Sequence, residues 1–133
     1  MSESNTRSEQ LLRTALKSNG VFSTVTGMAF IVAAGPIAER IGLDYPWLLM
    51  VIGASLLIFA FGLFRNAMAA SVDLLEARIA VALDFAWVLG SVVVVALGVL
   101  STTGNWGVAI VADIVLVFAI AQAIGVRRIQ STA

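Results

Sequence analysis

Four long apolar runs dominate this chain: residues 21–38, 47–64, 79–100 and 106–126. Each has 18 to 22 residues, which at ~1.5 Å of rise per residue is enough to cross a hydrocarbon core of ~30 Å directly or with its interfacial flanks. In lipid every backbone polar group must be satisfied internally, so runs of this length read as helices rather than strands. The expected fold is all-α: a polytopic four-transmembrane-helix bundle of two hairpins.

Composition supports that class. Hydrophobic residues make up 60% of the 133 positions and charged residues 12%, about half the charged share of a soluble domain. Outside the runs lie a polar N-terminal stretch of 20 residues, connections of 8, 14 and 5, and a tail of 7, none able to bury a core of its own. The expected organisation is a polar segment over 1–20, a transmembrane domain over 21–126 and a cytoplasmic tail over 127–133. Cysteine and histidine are absent. That removes disulfides, imidazole and thiolate metal sites, haem ligation through either residue and nucleophile–histidine catalysis. No cofactor, metal site or enzyme activity is expected. Formal charge is zero, with nothing to suggest nucleic-acid binding.

The placement of the basic residues is informative. With four crossings, Arg7, Arg13, Lys17, Arg65, Arg78, Arg127 and Arg128 fall on one side and Arg40 alone on the other. The positive-inside bias therefore puts both termini in the cytoplasm. Such a bias is unlike that of small exporters inserting in both orientations. The N-terminus also reads as no cleavable signal, because its first 20 residues are polar and the run that follows is too long for a signal core.

Local features refine this outline. Met1–Thr6 reads as disordered, and Thr6-x-x-Glu9 has capping-box spacing ahead of Leu11, Leu12, Ala15 and Leu16. The segment 7–18 is expected to be a short amphipathic helix on the inner membrane surface, ended by Gly20. Residues 66–78 are expected to extend the third helix into the cytoplasm. Pro46 suits a first helical turn, Tyr45, Trp47 and Trp106 are interface anchors, and residues 101–105 read as a tight outer turn. A shift of 63 residues aligns Phe22 with Phe85, Gly27 with Gly90, Ala33 with Ala96, Gly35 with Gly98 and Arg65 with Arg128, which suggests duplicated hairpins. Ala82, Ala86, Gly90 and Gly98 on one helix, and Ala109, Asp113, Ala121 and Gly125 on the next, fall on four-residue series, mostly small, that are expected to pack the second hairpin tightly.

Two acids lie within the runs. Asp84 sits ~8 Å inside the inner boundary and Asp113 ~10 Å inside the outer one, too far apart to act as a carboxylate pair. An intramembrane acid costs about 2.5–3.5 kcal/mol at a helix centre, so each is expected to face protein or water. Asp84 shares a helical stripe with Trp87 and Ser91. It is expected to pair with a cation, with Ser23, Thr26, Lys17, Asn19, Arg127 and Arg128 within reach. Asp113 has no cation at its depth and would bond Ser55 or Ser91. Either acid serves as a structural strut or as a proton carrier. Asp84, Asp113, Trp87 and Ser91 are the candidate binding residues, Trp87 otherwise being packing and Gln122 an interhelical hydrogen bond.

At Lys17-x-Asn19-x-x-Phe22-Ser23-x-x-x-Gly27, Gly35-Pro36-Ile37-Ala38 and Asp84-x-x-Trp87-Val88-x-Gly90, the chain resembles a group of small four-helix bacterial integral membrane proteins. The resemblance spans most of residues 10–128. It implies four spans and a bacterial inner-membrane location and carries no activity with it. Fluoride-channel proteins are similar in size, but their glycine-rich and asparagine signatures are not found here. The expected function is a non-enzymatic accessory or scaffold subunit, self-associated or within a larger membrane complex. The alternative is a proton-coupled transporter or channel acting as an oligomer.

Overall fold

The computed structural model describes residues 3–132, with side chains described over 6–130. Five helices follow in order: α1 (Glu3–Val32), α2 (Ala34–Ile41), α3 (Pro46–Ala67), α4 (Leu74–Leu97) and α5 (Thr102–Thr132). Three of them, Pro46–Ala67, Leu74–Leu97 and Thr102–Gln130, are each long and apolar enough to cross a membrane. The α1–α2 pair passes the same test together but is bent by 92° at its break. The count is thus three spans, or four if the bent pair makes one. Of the stretch expected to be disordered, residues 1–2 lie outside the described residues and helix begins at Glu3. Likewise α5 carries the expected tail as helix to Thr132, and Ala133 lies outside the described residues.

The bend has a local cause. Pro36 has no N–H to give the Val32 carbonyl, and its ring crowds that carbonyl. Ala33 bonds back to Ala29, Ile37 bonds back to Ala33, and the axis turns between them. The helix expected over 21–38 is therefore not one rod. α2 ends on Gly42, whose φ of 77° is the left-handed conformation favouring glycine. Leu43 N–H then bonds the Ala38 carbonyl and Gly42 N–H that of Glu39, a Schellman closure. The chain reverses into α3 through Pro46 in its first turn.

α1 and α3 form one antiparallel pair, α4 and α5 the other, and α1 packs against α5 between them. α3 and α4 touch sparsely. At the end holding both termini the four long helices close tightly, with Leu12, Leu16, Leu63, Ala67, Ala77, Ala80 and Val126 buried together. At the opposite end α2 lies against α3 and α5 over a smaller cluster of Ala34, Ala38 and Leu49. α2 has no counterpart in the second hairpin, so the expected duplication gains no support from the architecture.

Two sequence expectations for the N-terminal segment are corrected here. Gly20 does not end a helix: α1 runs through it, and the Phe64 ring packs where a Cβ would stand, 2.9 Å from that position. Nor does the amphipathic face lie free for a membrane surface. Leu12 and Leu16 are fully buried against α3, α4 and α5, so the apolar stripe is spent on the protein's own core. Arg13 beside it caps α3, its guanidinium donating to the carbonyls of Ala67 at 2.7 Å, Ala69 at 2.6 Å and Ala70 at 3.1 Å, and to Glu9 at 2.8 Å. The Ala67 carbonyl is one that a helix C-terminus leaves without an intrahelical partner, where a cation is the favoured cap, and the Ala69 and Ala70 carbonyls belong to the turn that follows.

The α3–α4 connection is equally determined. Asn66 is buried and accepts from Asp73 N–H at 2.7 Å while donating to the Asp73 carbonyl at 3.0 Å. Asp73 then caps α4 by accepting from Glu76 N–H. α4 starts at Leu74, so the expected extension beyond the apolar run is real, if shorter than expected. On the other side, Ser101 caps α5, accepting from Gly104 N–H at 3.0 Å and donating to the Arg40 carbonyl at 2.8 Å. The tight turn falls at 98–101 rather than 101–105.

The small-residue series are redistributed. Ala82, Ala86, Gly90 and Gly98 are exposed, and nothing approaches the Cβ position of Gly90. Close backbone approaches lie instead between α1 and α3, where a Cβ on Gly27 would stand 2.7 Å from the Gly53 carbonyl oxygen and one on Gly53 2.6 Å from that of Gly27, and between α5 and α2, where one on Gly104 would stand 2.6 Å from the Ile41 carbonyl oxygen. On α5, Gly125 is the member that meets α1, against Leu12.

Candidate functional site

The half of the bundle nearer the termini holds a buried polar cluster contributed by three helices. Asn19 and Ser23 project from α1 one turn apart, Asp84 from α4 and Gln122 from α5; all four are buried. Asn19 Nδ2 donates to Asp84 Oδ2 at 2.8 Å and to Gln122 Oε1 at 3.0 Å. Gln122 Nε2 donates to the same Asp84 Oδ2 at 2.8 Å. Ser23 Oγ donates to Asn19 Oδ1 at 3.2 Å. Asp84 Oδ2 is thus the point where α1, α4 and α5 meet. Phe22 and Phe118 pack ring against ring one turn farther on, centroids 5.6 Å apart.

The stripe Asp84 shares with Trp87 and Ser91 turns it toward the first hairpin or a partner, and Asn19, one of the groups expected within its reach, does bond it, whereas the expected cation does not. Lys17, Arg127 and Arg128 are all exposed, and the acid is held by two amides instead. A neutral donor needs no second desolvated charge, whereas a buried cation would cost several kcal/mol to strip of water. Asn19 and Gln122 were each legible as polar groups near this depth. That both donate to one carboxylate oxygen depends on the helix rotations and was not.

Asp113 is the larger correction. It is exposed on α5, one position from buried Ala112, and makes no hydrogen bond or ion pair with any described residue. Its expected partners are engaged elsewhere: Ser55 Oγ donates to the Val51 carbonyl at 2.9 Å and Ser91 Oγ to that of Trp87 at 2.8 Å. Both are back-bonds along their own helices. Around Asp113 the exposed side chains are Ile110, Ile114 and Val117.

Trp87 stands one turn from Asp84 on α4, at the junction of two cavities. One, of about 300 Å³, is lined by Asp84, Asn19, Ser23, Thr26 and Ser55 among others. The other, of about 580 Å³, extends toward α2 and is almost wholly apolar, with Phe30, Leu49, Val94 and Val111 in its walls. Ile52, Trp87 and Val111 line both. Trp87 Nε1 is buried with no hydrogen-bond partner among the described residues. Ser91 lines the apolar cavity, so of the four candidate residues Asp84, Trp87 and Ser91 gather along one crevice and Asp113 stands apart. Among the described residues no three His, Cys, Asp or Glu side chains converge.

No family model, curated protein or solved structure matches this chain.

Proposed function

We propose that this chain is a small, non-enzymatic accessory subunit of a membrane assembly, crossing the bacterial inner membrane four times with both ends in the cytoplasm. The bent α1–α2 pair supplies the fourth crossing. The single observation that carries the reading is the position of Asp113: an acid within an apolar helix, turned outward, with no partner among the described residues. Left in lipid it costs about 2.5–3.5 kcal/mol. A transmembrane helix bringing a donor, from Lys, Arg or a side-chain amide, relieves that cost and fixes its register on α5. The exposed small residues of α4, Ala82 and Ala86, let a neighbouring helix approach closely.

The absence of cysteine makes the test direct. Single cysteines at Ile110 and Val117, flanking Asp113, and at Ile58 and Phe61 on α3 are labelled with a photo-crosslinker in intact native membranes. One discrete membrane polypeptide, identified by mass spectrometry, is expected to couple at the α5 positions, not at the α3 positions, and to be lost on adding Asp113→Leu. Coupling of equal strength at all four positions, or none at Ile110 and Val117, refutes the docking face; coupling only to a second copy replaces the assembly with a homo-oligomer.

The alternative is proton-coupled transport, for which the specific observation is that Asp84 lines a cavity. Its neighbouring cavity is apolar and gives a proton no polar route onward, so accessory binding is the better supported. Proton-driven flux in liposomes that is abolished by Asp84→Asn in folded protein would reverse that choice.

A further inference from the structure

We infer that the crevice between the two hairpins is a binding site for a lipophilic molecule bearing a hydrogen-bond-accepting carbonyl, held by the indole N–H of Trp87. The inference is independent of the docking face on α5. The crevice is walled by helices from both hairpins where α3 and α4 stand apart, and α2 closes its outer end. Its larger chamber, about 580 Å³, falls within the ~300–1,000 Å³ of ordinary small-molecule sites, which are mainly apolar with few polar groups that set orientation.

The polar inventory selects the ligand chemistry. Both Nδ2 hydrogens of Asn19 are committed to Asp84 and Gln122, Ser23 donates to Asn19, Ser55 to Val51 and Ser91 to Trp87. Trp87 Nε1 is covered and has no hydrogen-bond partner among the described residues, so an acceptor reaches it as the indole turns toward the chamber it lines. An indole N–H is a donor only, and a buried tryptophan normally finds an acceptor. The group that completes this site is therefore an acceptor, and the apolar walls require the rest of the molecule to be hydrocarbon. A plain acyl chain fills the walls but leaves the N–H unpaired, at the cost of a buried donor without its bond.

Glycine lining offers a second handle. Gly107 lines the larger chamber and nothing lies within 4 Å of its Cβ position, so a leucine there enters open space and occupies the chamber without forcing the backbone.

Purified full-length protein in mild detergent is titrated with decylbenzoquinone, which has carbonyl acceptors, and with decylbenzene, which has the same tail and none. Bound ligand is counted by native mass spectrometry, and helicity by circular dichroism. One equivalent of the quinone per chain is expected, bound more tightly than decylbenzene. Trp87→Phe is expected to weaken the quinone about threefold to tenfold and leave decylbenzene unchanged, as loss of one neutral hydrogen bond requires. Gly107→Leu is expected to remove both while helicity is retained. Equal binding of the two probes, a quinone affinity unaltered by Trp87→Phe, no stoichiometric binding of either, or full binding by folded Gly107→Leu each overturns the proposal. Where Trp87→Phe does not fold, the probe comparison and Gly107→Leu decide.

Discussion

Asp84 gives the sharpest test of what joins the two hairpins. Both amide donors, Asn19 Nδ2 and Gln122 Nε2, converge on its Oδ2, each at 2.8 Å, whereas Oδ1 receives no bond from a described residue. An asparagine can keep its carbonyl oxygen where Oδ2 stands and put its amide nitrogen at the Oδ1 position, displacing neither donor. Asp84→Asn should therefore cost no more than about 0.5 kcal/mol, whereas Asp84→Leu strands one N–H of Asn19 and one of Gln122 inside the bundle. Interhelical hydrogen bonds within a membrane protein average about 0.6 kcal/mol and reach about 1.7, so the two together put Asp84→Leu at roughly 1–3 kcal/mol. Reversible unfolding in mixed micelles of rising SDS fraction, followed by helicity, measures both variants against wild type. The sequence expectation of a cation-paired acid shares that order but makes Asp84→Asn a measurable, modest loss, because removing the charge weakens the pair with Lys or Arg. If Asp84→Asn loses as much stability as Asp84→Leu, the carboxylate charge holds the helices and the convergence on Oδ2 is not the reason.

Two further perturbations probe the contacts that set helix order. Gly27→Ala places a Cβ 2.7 Å from the backbone oxygen of Gly53; no side chain there can yield, so the α1–α3 pair must separate, at about 1–3 kcal/mol, read in the same SDS titration. Gly62→Ala, with nothing near its Cβ position, should cost nothing, and equal losses in the two would refute the close-approach argument. Arg13→Ala frees the last carbonyl of α3, at Ala67, and those of Ala69 and Ala70 beyond it, and should cost about 1–3 kcal/mol, whereas Arg13→Lys recovers only part, since an ammonium is a point donor without the planar fork. Amide hydrogen exchange should rise over residues 68–73 in Arg13→Ala, and unchanged protection there would show that the guanidinium does not hold this turn.

The apolar runs alone determined that the chain is helical, where most helices lie, and which ends face each other, because run length and backbone satisfaction in hydrocarbon leave few solutions. Pro36 and Gly42 likewise carried their backbone consequences in their own covalent structure, and Asp73 and Ser101 are caps by side-chain chemistry. Tertiary structure alone decided rotation and packing order. Periodicity fixes which residues share a helix face but not what that face meets, so Ala82, Ala86 and Gly90 could be read as the tight seam, whereas Gly27 and Gly53 form it. The same freedom separated the two acids: a rotation of one position on α5 buries Ala112 and turns Asp113 outward, while α4 happens to aim Asp84 at Asn19 and Gln122. The capping role of Arg13 was not legible because its targets, the carbonyls at and just beyond the end of α3, lie more than fifty residues away and carry no side-chain signature. Contacts made by backbone oxygens and absent side chains leave no pattern in the sequence, which is why the membrane architecture was legible there and the crevice around Trp87 was not.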